Sequence, residues 1–400
     1  MRESDQQYTP LPEIRSRVDR LQDRLRRQDI TGALILQNSD LFYFSGTAQQ
    51  AQLYIPADGE PILMVRKDLN RASVESPLAH IEPINSPRQI PAILKRYGFD
   101  LPARLGLECD VLPANLYLGF QDLFAPGKLL DISTDIRMLR AVKSEYEIER
   151  LRKAVRLSDR LADAVPALLR EGMTEIELAG LIEATARKWG HQGIIRMRLW
   201  GSELFYGHVM AGASAAAPSY LSSPTGGIGV NPAVAQGSSL QPIAPHVPVL
   251  VDFVFALDGY LSDHTRIFSI GELPDDLVTA HKAMLTIQEL IKQTARPGIS
   301  CGRLYEAALE KAADLGLADH FMGSGKQRIR FVGHGIGLEL DEFPFLAKGQ
   351  EMTLTAGMII ALEPKAVFEK RGVVGIENTH LVTESGLEQF GRFQEDIVIV

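Results

Sequence analysis

Two apolar β-hairpins, each carrying a carboxylate on either side of its turn, set the tightest limit on how this 400-residue chain can fold. The first lies in residues 249–269, where β-branched and aromatic residues run into and out of Leu257-Asp258-Gly259, a pattern that predicts paired antiparallel strands. Asp252 and Asp263 stand almost symmetrically about that turn. A loop of two or four residues puts them on one face of the ladder, opposite or on a diagonal, with Cβ atoms roughly 5 to 8 Å apart. Carboxylates held this way among apolar neighbours repel each other and lose solvation, so the arrangement demands a proton or a cation between them. A divalent metal is the simplest answer. The second pair repeats the device: residues 358–364 and 373–382 are strand-like and are separated by the charged turn Phe368-Glu369-Lys370-Arg371-Gly372, with Glu363 on one strand and Glu377 on the other. Between the hairpins comes Gly333-His334-Gly335-Ile336-Gly337, where glycines on both sides of an imidazole let the backbone approach something closely.

Any one of these five residues, taken alone, is more ordinarily a solvated side chain than a ligand. Independent solvated acids would not be expected on hairpin pairs inside apolar strands with a glycine-flanked histidine between them. Four carboxylates and one imidazole, with no thiolate, suit Mn, Co, Fe or Zn. One ion leaves such a site over-charged, whereas two divalent ions balance it. Two ions about 3.5 to 4 Å apart that share a water are the machinery of metal-assisted hydrolysis. Glu363 is the expected general base, taking a proton from that water and returning it to a leaving amine.

The motifs Val251-Asp252, Gly259-Tyr260-x-x-Asp263-x-Thr265-Arg266, Gly333-His334-Gly335-Ile336-Gly337-Leu338, Leu362-Glu363-Pro364 and Gly375-Ile376-Glu377-Asn378-Thr379 together resemble the creatinase/aminopeptidase, or pita-bread, family. Methionine aminopeptidase, Xaa-Pro aminopeptidase, prolidase and creatinase are members. The segment around Met138-Leu139-Arg140-Ala141-Val142-Lys143-Ser144-Glu145 is similar to the start of the catalytic domain in two-domain members. The resemblance spans nearly the whole chain, with the motifs in the family's order. It implies an α/β N-terminal domain at residues 1–140 and an α+β pita-bread catalytic domain at 141–400. It also implies a metal set of Asp252, Asp263, His334, Glu363 and Glu377, with Asp263 and Glu377 bridging two ions, and a cytoplasmic homodimer. Creatinase, which lacks the metal set, is the less similar relative.

Two positions depart from the family's peptidases. Where those read His-Glu-x-Pro, this chain reads Asp341-Glu342-Phe343-Pro344, and where they carry Pro-His upstream of the first aspartate, it reads Pro218-Ser219. The missing imidazoles are the ones the resemblance places against substrate, which puts ordinary Xaa-Pro peptidase activity in question. His208 is a candidate replacement, against the plainer reading of a loop histidine satisfied by backbone. Asp341 is a candidate for binding a cationic group of the substrate, such as a free amino terminus or a quaternary nitrogen, because an ionised carboxylate cannot donate a hydrogen bond.

The rest of the sequence narrows the class. Lys+Arg 42 against Asp+Glu 50, with no basic block, argues against a nucleic-acid partner. Two cysteines far apart, Cys109 and Cys301, fit a reducing compartment better than a disulfide scaffold. No run of about 18 apolar residues occurs, and residues 1–10 contain no apolar signal core, so a soluble, unprocessed chain with no membrane partner is expected. Residues 15–27, with apolar positions at helical spacing, read as a helix with a solvated charged face. Ser144 with Glu147 and Thr174 with Glu177 predict capping boxes, and further helices are expected near 275–295 and 301–315. A helix pair followed by strands thus occurs twice, hinting at an old duplication. The glycines of 224–232 are not a phosphate loop, since no helical pattern follows and Pro232 closes the segment; a loop at the rim of the site is expected.

Three functions remain open on this reading. The first is a dinuclear metallohydrolase acting on a dipeptide or an N-terminal Xaa-Pro bond. The second uses the same fold and metals on a small zwitterion, as the family's ectoine hydrolase and dimethylsulfoniopropionate lyase do. The third is a non-catalytic binding protein, against which five intact ligands argue.

Overall fold

The computed structural model describes residues 8–400, so most of the N-terminal stretch read above for a signal core lies outside the described residues. The chain divides into two compact units at Arg140/Ala141. The first opens with α1 (Leu11–Arg27), followed by β1 (Gly32–Ile35), α2 (Asn38–Ser45), β2 (Ala51–Pro56), β3 (Ile62–Val65), α3 (Leu69–Glu75) and β4 (His80–Pro83). Then come α4 (Ile90–Arg96), β5 (Arg104–Leu107), α5 (Ala114–Leu123), β6 (Lys128–Asp131) and α6 (Ser133–Ala141). Its six strands form one mixed sheet in the order β4-β3-β2-β1-β5-β6, with helices buried against it through residues such as Leu34, Ile62, Leu94 and Phe120. The charged face of α1 is not wholly solvated. Arg17 is fully buried, because its guanidinium is satisfied by Glu13 and the Tyr43 carbonyl and lies over the Tyr43 ring, and a buried charge is tolerated only when paired in this way.

The second unit contains two helix pairs, each followed by its own strands. The first pair is α7 (Glu145–Leu168) and α8 (Glu175–Lys188), and both helices start in the capping boxes that the sequence predicts, Ser144 with Glu147 and Thr174 with Glu177. After them come β7 (Gly207–Ala211), β8 (Val249–Phe253), β9 (Phe255–Leu257), β10 (Tyr260–Ser262) and β11 (Thr265–Ser269). The second pair, α9 (Asp275–Thr294) and α10 (Cys301–Asp314), precedes β12 (Phe331–Gly335), β13 (Glu342–Ala347), β14 (Ile359–Leu362), β15 (Lys365–Phe368), β16 (Gly372–Gly375), β17 (Asn378–Val382), β18 (Leu387–Gln389) and β19 (Val398–Ile399).

The strands form a four-stranded sheet β19-β11-β8-β7, a five-stranded sheet β13-β12-β14-β17-β18, and the short hairpins β9-β10 and β15-β16. One apolar core joins α7 and α8 to β7, β8 and β11, and a second packs α9 and α10 beneath β12, β14 and the β15-β16 hairpin. This α+β architecture buries one face of each sheet under a helix pair and leaves the opposite faces free to meet. They meet at Thr265 and Glu377, whose backbones exchange N–H···O contacts of 3.3 and 3.4 Å.

Candidate metal centre and its cleft

The first hairpin turns through Asp258 and Gly259, both with positive φ (52° and 91°), the conformation of a two-residue primed turn. Leu257 pairs with Tyr260, and the same register carries Asp252 opposite Thr265. Asp263, two residues before Thr265, is therefore diagonal to Asp252 on the same face. In the second hairpin Leu362 pairs with Asn378 on one side and Lys365 with Gly375 on the other, which sets Glu363 opposite Glu377 at the break between β14 and β15. His334 sits in β12 beside β14, where Gly333 and Gly335 allow close packing: a Cβ on Gly335 would lie 2.0 Å from the Phe343 carbonyl oxygen.

All five side chains line one cleft enclosing about 640 Å³, part of it open to solvent. The His334 Nδ1 is 3.0 Å from the Gly335 carbonyl, a contact that would set the tautomer presenting Nε2 to a bound ion. Nε2 lies 3.7 Å from Asp263 Oδ2 and 3.8 Å from one oxygen each of Glu363 and Glu377. These separations exceed a hydrogen bond and match atoms that share a cation through bonds of about 2.0 to 2.2 Å. Ligand atoms of Asp263, His334 and Glu377 all fall within 4.8 Å of one another. The donor set fits one hard or borderline divalent ion at this point.

A sixth charged group, absent from the reading of the sequence, sits among them. The Lys365 ammonium donates to Asp252 Oδ2 at 3.0 Å, Glu363 Oε2 at 2.9 Å and Glu377 Oε2 at 2.8 Å, and its side chain is 1% exposed. Strand alternation was the available signal, since Lys365 follows Glu363 by two residues and must share its face. Burial disfavours the ammonium, but the three carboxylates outweigh it and hold its pKa well above the ordinary value. Burial raises the pKa of Glu363 and, with Glu377 and Asp252 nearby, that of Asp263. For Glu377, burial is overcome by Lys365 and His334, which hold it below the carboxylate range. Burial likewise opposes charge on His334, yet Asp341 and the surrounding glutamates push its pKa up.

Backbone and hydroxyl contacts fix the acids. Thr265 Oγ1 donates to Glu377 Oε2 at 2.9 Å, and Thr379 Oγ1 bonds the backbone of Asp263. Arg266 spans β11 and the C-terminal segment, donating to the carbonyls of Thr265, Glu377, Phe393 and Gln394 and to the Asn378 amide oxygen.

The two further candidates also line the cleft. His208 stands directly opposite Asp252 in the β7-β8 ladder, its Nδ1 3.4 Å from the Thr225 hydroxyl. No hydrogen bond of ordinary geometry reaches its buried Nε2, and burial lowers its pKa although Asp252 and the Gln236 amide oppose this. Asp341, in a left-handed conformation at φ 61°, places Oδ1 3.5 Å from His334 Nδ1. Glu342 beside it turns away, accepting from Lys143 and from the amides of Leu338 and Glu339. Ser219 does not line the cleft; its hydroxyl accepts from the Leu221 amide. The glycine-rich segment 224–232 is loop without a following helix, and Ser222 and Ser223 just before it border the cleft.

The sequence profile of metallopeptidase family M24 matches residues 149–384, and that of the creatinase/prolidase N-terminal domain matches residues 17–142. "Probable dipeptidase PepE" of Mycobacterium bovis is 31% identical over 293 residues, 73% of this chain and 69% of its own length. The Xaa-Pro dipeptidase of Pyrococcus furiosus is 25% identical over 389 residues, 96% of this chain and all of its own. The crystal structure of dipeptidase PepE from Mycobacterium ulcerans superposes with a TM-score of 0.79 at 26% identity, covering 98% of this chain and 100% of that one. The Xaa-Pro dipeptidase structure from Bacillus anthracis, at 23% identity and a TM-score of 0.82 over 97% of this chain and 100% of its own, shares the fold. By profile, relatives and architecture together, the chain belongs to metallopeptidase family M24, in the two-domain form with a creatinase/prolidase N-terminal domain.

Proposed function

We propose that the chain is a metal-dependent peptidase that cleaves a dipeptide or an N-terminal Xaa-Pro bond in the cleft between its two catalytic sheets. The observation that carries this reading is the position of His334 Nε2, nearly equidistant from oxygens of Asp263, Glu363 and Glu377 with its other nitrogen already satisfied. The names of the relatives, dipeptidase and Xaa-Pro dipeptidase, supply the substrate class. Mn, Co, Fe or Zn, held by Asp263, His334, Glu363 and Glu377, would polarise the scissile carbonyl and acidify a water.

The chain's own residues do the rest. Glu363, its pKa raised by burial, accepts the water proton and passes it to the leaving nitrogen. His208 lines the same cleft with a buried Nε2 that no hydrogen bond of ordinary geometry reaches, and takes the role that the family's missing imidazoles leave vacant. Met197, Leu199, Leu204, Leu221 and Leu340 give the cleft an apolar wall suited to a proline ring or an aliphatic side chain. Asp341 offers a carboxylate to the free amino group of a short peptide.

Asp341 also favours a second reading, hydrolysis of a small non-peptide zwitterion, because the cleft presents this carboxylate where the family's peptidases present an imidazole. A panel of Ala-Pro, longer Xaa-Pro peptides and small zwitterions, run with Mn or Co, separates the two. Peptide hydrolysis is the expected result, with Glu363→Gln lowering kcat by about 10²- to 10⁴-fold while the fold is kept. Turnover of a zwitterion alone selects the second reading, and no turnover of either overturns both.

A further inference from the structure

The number of ions in this cluster follows from Lys365. An ammonium has three N–H donors and no acceptor, and all three are directed at carboxylates of the ligand set, at 2.8 to 3.0 Å. The two glutamates divide their oxygens between two cation positions. Glu363 gives Oε2 to the ammonium and turns Oε1 toward His334; Glu377 gives Oε2 to the ammonium and Oε1 to the same imidazole. Each thus bridges Lys365 and the position beside His334 in the way that a carboxylate bridges two metals. Asp252 touches Lys365; Asp263, His334 and Glu377 close around a single point, and Glu363 reaches it through the Oε1 that lies 3.8 Å from His334 Nε2.

The lysine is built in. Its carbonyl accepts from the Met322 amide at 2.9 Å, and its pairing partner in the hairpin is Gly375, where a Cβ would lie 2.7 Å from the Lys365 Cα and 3.0 Å from its Cγ. A side chain at 375 would displace the lysine stem. A second ion would have to displace the lysine head group and take oxygens already engaged by it. Oxygens spaced for N–H···O contacts also stand too far from a common centre for metal bonds of about 2.0 to 2.2 Å.

We propose that Lys365 replaces one of the two metal ions this ligand set would otherwise hold, so that the chain binds a single divalent ion, at Asp263, His334, Glu363 and Glu377, beside the lysine head group. The inference rests on the metal-binding part of the function proposed above and not on the identity of the substrate.

Mn or Co binding to the full chain, stripped with chelator and then titrated, measures the stoichiometry by calorimetry and by elemental analysis. The wild type is expected to saturate at one ion per chain, and Lys365→Ala and Lys365→Met at two, with the manganese resonance spectrum changing from that of an isolated ion to that of a coupled pair. Two ions bound by the wild type overturn the proposal, as does no ion, or a folded Lys365→Ala that still takes one. Should neither variant fold, the wild-type stoichiometry decides by itself. One bound ion with no peptide turnover leaves the role of Lys365 standing and overturns the peptidase reading; two ions with peptide turnover does the reverse.

Discussion

His208 distinguishes a working residue from a packed one most sharply. Its Nδ1 lies 3.4 Å from the Thr225 hydroxyl, no hydrogen bond of ordinary geometry reaches its buried Nε2, and burial lowers its pKa against the opposing pull of Asp252 and the Gln236 amide. A buried nitrogen left unsatisfied destabilises by about 1 to 3 kcal/mol unless something binds it. His208→Ala removes that liability together with some packing, so the melting temperature is expected to change little while kcat/KM falls by at least about tenfold, or about 1.4 kcal/mol of transition-state stabilisation. A histidine that only packs would give the opposite pattern: a lower melting temperature with kcat/KM unchanged. Asp341 is not interchangeable with His208 in this respect, because burial raises its pKa while His334 lowers it, and it acts only as an acceptor when ionised.

At the level of elements, the site depends on the two hairpins meeting in register, and Gly375 guards the second. A Cβ there would lie 2.5 Å from the Pro364 carbonyl oxygen, next to Glu363, where only backbone movement gives relief. Gly375→Ala is expected to destabilise the catalytic unit by about 1 to 3 kcal/mol and to weaken metal binding in the same titration. Gly180→Ala, on the exposed side of α8 with nothing within 4 Å of the added carbon, is expected to stabilise by about 0.5 to 1 kcal/mol. Chemical denaturation of both variants checks the pair. The hairpins were legible beforehand because turn chemistry and a period of two are local: Asp258-Gly259 fixed the first register, and the acids followed from it. The contacts between sheets were not legible, because nothing local relates Thr265 to Glu377 or Arg266 to Phe393 and Gln394. Lys365 fell between the cases. Its strand position was readable from alternation, but a lysine is ordinarily solvated, so a balance of two ions against four carboxylates leaves out the cation beside Glu363. Arg17 shows the same limit in the first unit, where helical spacing put a charge on the polar side and a partner in α2, Tyr43, buried it.

Across the whole chain, stability is tied to pH through buried imidazoles. Five of the nine histidines, His191, His208, His264, His281 and His380, are held below the ordinary value chiefly by burial, His191 at about 4 and His380 at about 3. All five lie in residues 141–400, so the unfolding of that unit carries the effect. A depressed folded pKa means that the unfolded chain takes up protons first, so the stability each group contributes is intact above about pH 6.5 and is lost as pH falls toward its folded value. Each group that titrates this way contributes a slope of about 1.4 kcal/mol per pH unit below that point. His334, Asp263, Glu363, Asp341 and Glu183 run the other way in metal-free protein, since neighbouring carboxylates raise the imidazole and burial raises the four carboxyls, so these five groups oppose the five histidines. In chelator, which removes metal release as a competing cause, the two sets oppose each other below about pH 6.5, so the contribution of one histidine is read from the difference between wild type and variant. His380 is the cleanest probe, fully buried and with no hydrogen bond of ordinary geometry to either ring nitrogen. His380→Leu is expected to flatten the slope by about 1.4 kcal/mol per pH unit and to make the variant more stable than the wild type at pH 5; a variant with an unchanged slope would show that His380 is not held neutral by its surroundings.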